Sequence, residues 1–195
     1  TETLTDKLAN KSPLAPQIKH LGKLLAWASI LTCFGSAYFH WDPTPERLFW
    51  DRLPMTLGFS SIAALLVSDR IELNLGKQLA MLLMPVGFLT VIGLKFGWIN
   101  LRPYLVLQFG TLALIAIIAI FKKPGVLSNP STLGALALYL LARKFESLDI
   151  LVFNRLGVVS GHTLKHIAAA LSIATIFSGI ASGYRRGLTN QTSKN

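Results

Sequence analysis

The chain has 195 residues, of which 52% are hydrophobic and only 14% are charged. Because soluble globular domains contain about a quarter charged residues, this composition excludes an ordinary soluble domain and is typical of an integral membrane protein. The net charge of +10 comes from basic residues in short connections and near the chain ends, where membrane orientation accounts for them, so nucleic acid is not an expected partner.

Six apolar segments predict an all-α fold, a polytopic bundle of six transmembrane helices. Residues 1–20 are predicted to form a polar lead, 21–186 the bundle and 187–195 a polar tail. A polar connection from Trp41 to Asp51 follows the first span, and Pro54 is expected in the first turn of the second. The predicted spans are about Leu21 to Phe39, Arg52 to about Val67, about Leu79 to Phe96, about Pro103 to Phe121, about Thr132 to Leu151, and His162 to about Tyr184.

The number of crossings predicts on which side of the membrane each helix end lies. His40 follows the first span, and the sixth span begins at His162 after five crossings, so both are expected on the same side. Asp51 follows His40 across a short connection and is expected there too, which places ionisable groups far apart in sequence at one depth. The opposite side carries more Lys and Arg and is therefore cytoplasmic. Both chain ends are then cytoplasmic, and the histidines face the non-cytoplasmic side.

Two histidines at the start of the last segment are candidate metal ligands. His162 and His166 are four residues apart, so on a helix they project from one face at the spacing that lets two imidazoles bind one metal ion. Ser36 and His40 share a helical face in the same way. The alternative for the histidine pair is interfacial hydrogen bonding to neighbours or lipid headgroups. Ser36 can instead bond a carbonyl of its own helix, and Asp51 can pair with Arg52 at the interface.

Three histidines with one open position form a catalytic rather than a structural zinc site. His40, His162 and His166 can supply the three nitrogens. Asp51 can act as a general base toward a metal-activated water, and Ser36 can hydrogen-bond that water or a developing oxyanion.

The order of these motifs resembles a known family of membrane hydrolases. The matching stretches are Ser36-x-x-x-His40, Trp50-Asp51-Arg52-Leu53-Pro54-Met55 and Gly161-His162-Thr163-Leu164-Lys165-His166. They resemble the alkaline ceramidase and adiponectin-receptor superfamily, and most closely its bacterial ceramidase-like members. The resemblance extends over about Gly35 to Ala170.

This resemblance implies a function and a set of site residues. It implies a zinc ion on His40, His162 and His166, with Asp51 and Ser36 placing the water, and cleavage of a ceramide-like lipid amide that enters laterally from the bilayer. It also implies a seven-helix core in a bacterial inner membrane. We expect the first helix of that core to be absent here, together with the acidic calcium ligands of the family, so no calcium site is predicted.

Neighbouring charged residues have two interpretations. Glu146 and Asp149 can orient a ligating imidazole, or Glu146 can form a local ion pair with Arg143. Lys165 lies between the two histidines and is expected off their face, at the membrane interface.

Three other functions use the same histidines. In a receptor or sensor, zinc only ties the first helix to the last, and in a proton-coupled transporter the histidines titrate. A haem held by two histidines is disfavoured by the nearby Ser36 and Asp51. The predicted function is zinc-dependent hydrolysis of a lipid amide.

Overall fold

The computed structural model describes the backbone of residues 16–192 and the side chains of residues 17–186. Every regular element in that range is an α-helix, in agreement with the predicted all-α class. The helices in chain order are α1 (Pro16–Trp41), α2 (Pro45–Arg70), α3 (Leu73–Lys95), α4 (Arg102–Phe121), α5 (Asn129–Ser147), α6 (Asp149–Leu156) and α7 (Gly161–Thr192). Residues 1–15 of the predicted polar lead lie outside the described residues, and the remainder belongs to α1. Helix α7 continues into the predicted tail as far as Thr192.

Helices α1 to α4 form one compact unit, and α2 is its central helix. Helix α2 packs against α1, α3 and α4, and residues 63–68 are buried around its whole circumference. Small side chains allow the close packing. At Gly87 of α3, a Cβ atom would lie 2.7 Å from Cβ of Thr56 on α2, so only glycine permits this approach.

The start of α2 corrects the predicted connection. The Thr44 side chain accepts a hydrogen bond from the backbone N–H of Arg47 at 3.4 Å, Pro45 opens the helix, and Glu46 lies in the first turn. A threonine cap, a proline without an N–H to satisfy and an acid at the positive helix end all stabilise a helix start. Only residues 42–44 therefore separate α1 from α2, and Asp51 lies in the second turn of α2.

Helices α5, α6 and α7 form a second compact unit. Helices α5 and α7 pack along each other, and the hydroxyl of Ser172 donates to the carbonyl oxygen of Ala135 at 2.7 Å. A Cβ atom at Gly179 would lie 2.7 Å from Cβ of Ser131 on α5, so glycine permits this close approach of the two helices.

The predicted fifth span, about Thr132 to Leu151, is a continuous helix only as far as Ser147. Helix α5 ends at Ser147, and Leu148 adopts φ −107° and ψ 16° before the short helix α6 begins at Asp149. Helix α6 ends at Leu156, and the capping residue Gly157 has φ 73°. Glycine is favoured in this left-handed cap because it has no Cβ atom to clash.

Among the described residues, three helices are long and apolar enough to cross a membrane: α3, α4 and the part Gly161–Arg186 of α7. At about 1.5 Å per residue they measure about 30 to 39 Å, which matches a hydrocarbon core about 30 Å thick. Large apolar side chains such as Leu89 and Val106 are exposed on α3 and α4, as lipid contact requires. These helices indicate a membrane protein. The six-span bundle stays a prediction, because α1, α2 and α5 are not among these three helices.

Candidate functional site

His162 and His166 lie on one face of α7 within its first two turns. Their Nε2 atoms are 3.0 Å apart, and their ring centroids are 4.8 Å apart with the planes at 66°. His162 is half-buried and His166 is exposed. The predicted pairing of the two imidazoles across one helical turn is confirmed, and the two nitrogens are close enough to bind one metal ion.

The chemistry of this pair fits a zinc ion. Two nitrogens about 2.0–2.1 Å from one zinc at the tetrahedral angle are about 3.3 Å apart, close to the separation of 3.0 Å here. Imidazole nitrogen is also a ligand that zinc prefers. The same separation suits an N–H···N hydrogen bond between two neutral imidazoles. Metal analysis of the purified protein distinguishes these two states.

Two side-chain oxygens fix the first turn of α7, which carries His162. The Ser160 hydroxyl accepts the backbone N–H of Thr163 at 3.1 Å, and Asp149 Oδ1 accepts the backbone N–H of His162 at 2.6 Å. The carboxylate also faces the positive end of the helix. The contact between Asp149 and His162 is therefore made through the main chain, so Asp149 positions the residue by capping its helix.

Gly161 makes this capping contact possible. A Cβ atom on Gly161 would lie 2.7 Å from Cα and 3.0 Å from N of Asp149, and it would overlap the carbonyl oxygen of Phe145. The first turn of α7 therefore sits directly on the junction of α5 and α6. The only sequence signal for the contact of α7 with the Asp149 backbone is a glycine immediately before a candidate ligand. The periodicity of the helix does not reveal this contact.

Glu146 links α5 to α7 beside the histidine pair. Its carboxylate pairs with Arg143 on its own helix, and its Oε1 atom accepts a hydrogen bond from Lys165 Nζ at 3.2 Å. The first contact agrees with the predicted local ion pair. The second shows that Lys165, whose side chain is only 19% exposed, also contacts α5, and its place at the membrane interface stays a prediction. Glu146 is thus engaged with two cations, and it fixes the position of α7 against α5.

In the first unit, Ser36 and His40 lie one turn apart on α1, and Asp51 lies on α2. Ser36 and Asp51 are half-buried, and His40 is exposed. The two helices touch beside these residues. A Cβ atom on Gly35 would lie 2.8 Å from the carbonyl carbon of Trp50 and 3.2 Å from the backbone nitrogen of Asp51, and it would overlap the carbonyl oxygen of Trp50. The backbones bearing Ser36 and Asp51 are therefore in contact.

Pro54 explains why α1 can approach α2 at this point. It lies inside α2 and not in its first turn, which corrects the prediction. Proline has no N–H to donate to the carbonyl of Trp50, four residues earlier. Gly35 has a hydrogen where other residues have Cβ, so α1 approaches this carbonyl closely enough for a Cα–H···O contact.

Substitution of Gly35 by alanine is expected to destabilise the protein by about 1–3 kcal/mol, because the added methyl group requires α1 and α2 to separate. Gly22→Ala on the same helix is the matched control, since a Cβ atom there meets nothing within 4 Å. That control should leave stability unchanged or raise it by up to about 1 kcal/mol. Thermal unfolding in detergent, followed by circular dichroism, measures both. Equal stability of the two variants would show that the close approach is not required.

The candidate residues fall into two sets within the described helices. Ser36, His40 and Asp51 belong to α1 and α2, whereas His162 and His166 belong to α7. In each set, a glycine adjoining a candidate residue permits a close backbone contact. Comparison of the chain with protein-family models, curated proteins and solved structures finds no match.

Proposed function

We propose that this protein is a zinc-dependent membrane hydrolase that cleaves the amide bond of a ceramide-like lipid. The observation that carries the proposal is the histidine pair on α7, with Nε2 atoms 3.0 Å apart in a helix long and apolar enough to span a bilayer. Polar side chains are costly in such a helix and usually serve binding or catalysis. The resemblance of the sequence motifs to alkaline ceramidases supports the class of reaction.

Three imidazoles would hold the zinc ion: His162 and His166 from α7 and, by motif resemblance, His40 from α1. This donor set leaves one tetrahedral position open, as in catalytic zinc sites. When bound there, zinc acidifies a coordinated water and polarises a carbonyl oxygen.

The other two residues act on protons and on the oxyanion. The Asp51 carboxylate takes the proton of the attacking water and gives it to the leaving amine. The Ser36 hydroxyl donates a hydrogen bond to the oxyanion of the tetrahedral intermediate. The amide C–N bond breaks, the water oxygen ends in the fatty acid, and the transferred proton ends on the amine. The contact of Gly35 with the backbone at Trp50 and Asp51 supports a joint role of Ser36 and Asp51, because it brings the two helices together where both residues lie.

Zinc content and lipid-amide hydrolysis test the proposed function together. Protein purified in detergent without chelators should contain about one zinc per chain, measured by elemental mass spectrometry. It should also release fatty acid from ceramide in mixed micelles. A strong chelator should remove both properties, and added zinc should restore both. Absence of metal from the untreated protein would reject the site. Bound zinc without cleavage of any ceramide would reject the hydrolase and favour the receptor alternative.

A further inference from the structure

A cleft of about 370 Å³ lies between the first turns of α2 and the end of α3. Apolar side chains form part of its walls, including Leu48 and Phe49 from α2 and Val91 and Leu94 from α3. The cleft belongs wholly to the unit formed by α1 to α4 and contains none of the candidate zinc ligands.

Two cations, Arg52 and Lys95, line the same cleft. Lys95 Nζ lies 4.5 Å from the centre of the Phe49 ring, and the Arg52 guanidinium carbon lies 5.5 Å from the centre of the Tyr104 ring. Cation–π contacts hold the two side chains in place without neutralising their charges.

The charges of the cleft favour an anion. In the part of the chain that the structure describes, neither Arg52 nor Lys95 forms an ion pair with a carboxylate. Glu46 is the acidic residue that lines the cleft beside them, so the cations exceed it by one. A ligand with a negative group can therefore pair with two cations that no described carboxylate neutralises.

The cleft lies at the end of a candidate membrane span. Lys95 is the last residue of α3, which is long and apolar enough to cross a bilayer. Just beyond it, Phe96 and Trp98 stack with their ring centroids 5.1 Å apart. A lysine and a tryptophan at the end of a span are typical of the membrane interface, where lipid phosphates lie.

We propose that this cleft binds an anionic phospholipid of the surrounding bilayer, with the phosphate on Arg52 and Lys95 and the upper part of an acyl chain against Leu48 and Leu94. The planar guanidinium of Arg52 suits two phosphate oxygens, and Lys95 adds a point charge. A zwitterionic lipid brings a cation of its own, which the same two side chains repel. Free phosphate has no acyl chain and therefore makes no contact with the apolar walls.

Competition between two lipids tests this site. The full chain in detergent is incubated with equal amounts of phosphatidylglycerol and phosphatidylcholine, and the bound lipids are counted by native mass spectrometry. Wild-type protein should prefer phosphatidylglycerol. Lys95→Gln should weaken that preference by about tenfold, because one charge-assisted hydrogen bond is lost. Lys95→Arg should retain the preference, which separates loss of charge from misfolding.

Lys77→Gln is the matched control, since Lys77 is an exposed cation in the first turns of the same helix. It should retain the lipid preference. An equal loss in Lys77→Gln and Lys95→Gln would assign the preference to the overall charge and overturn the site. Absence of any preference in wild-type protein, or displacement of the lipid by millimolar inorganic phosphate, would also overturn it.

Discussion

His162→Ala is expected to lose the bound zinc and, with it, all hydrolysis of lipid amides. The variant removes one of the two nitrogens that lie 3.0 Å apart on α7, and the remaining ligands are too few for a tight zinc site. Elemental mass spectrometry should show zinc falling from about one per chain to near zero. Fatty-acid release from ceramide should fall to background in the same preparation.

The fold should survive this substitution. Asp149 contacts the backbone N–H of His162, and alanine keeps that N–H and is a good helix former. His20→Ala is the matched control, because His20 is an exposed histidine near the start of α1 and lies outside every candidate motif. That control should retain both zinc and activity. Full zinc content in His162→Ala would remove this residue from the ligand set.

The sequence predicts the interiors of the helices better than their ends. Apolar runs locate α3, α4 and α7 because their side chains must match a bilayer or a helical neighbour over many turns. The start of α2 is misplaced although Thr44, Pro45 and Glu46 carry a recognisable helix-start pattern. The break at Leu148 has no such signal, since neither glycine nor proline occurs there. It is accompanied by the contact of Asp149 with α7, which a local pattern does not reveal.

In the candidate site, the sequence predicts contacts within one helix but not contacts between helices. The spacing of His162 and His166 fixes their shared face, because it depends only on the geometry of one helix. The contact of Gly35 with Trp50 joins two helices, and no periodicity encodes it. The ion pair of Glu146 with Lys165 likewise joins α5 to α7. Sequence patterns therefore identify candidate residues, and the tertiary contacts determine how each is held.

Asp51→Asn is expected to lower kcat/KM for ceramide by about 10²–10⁴-fold, because an amide cannot take the proton of the attacking water. The replacement has nearly the same shape, and the contact of Gly35 at this position is with the backbone nitrogen of residue 51. The packing of α1 on α2 should therefore be unchanged, and zinc content should stay at about one per chain.

The exposed Asp42 provides the comparison for this effect. It pairs with Arg47 at 3.3 Å in the connection between α1 and α2, so Asp42→Asn removes a nearby carboxylate charge without touching the proposed base. Asp42→Asn should keep nearly full activity, because exposed ion pairs contribute little. Loss of zinc in Asp51→Asn would make Asp51 a metal ligand. Full activity in Asp51→Asn would reject the role of Asp51 as the base. Retained zinc with turnover near background would show that Asp51 acts in proton transfer and not in metal binding.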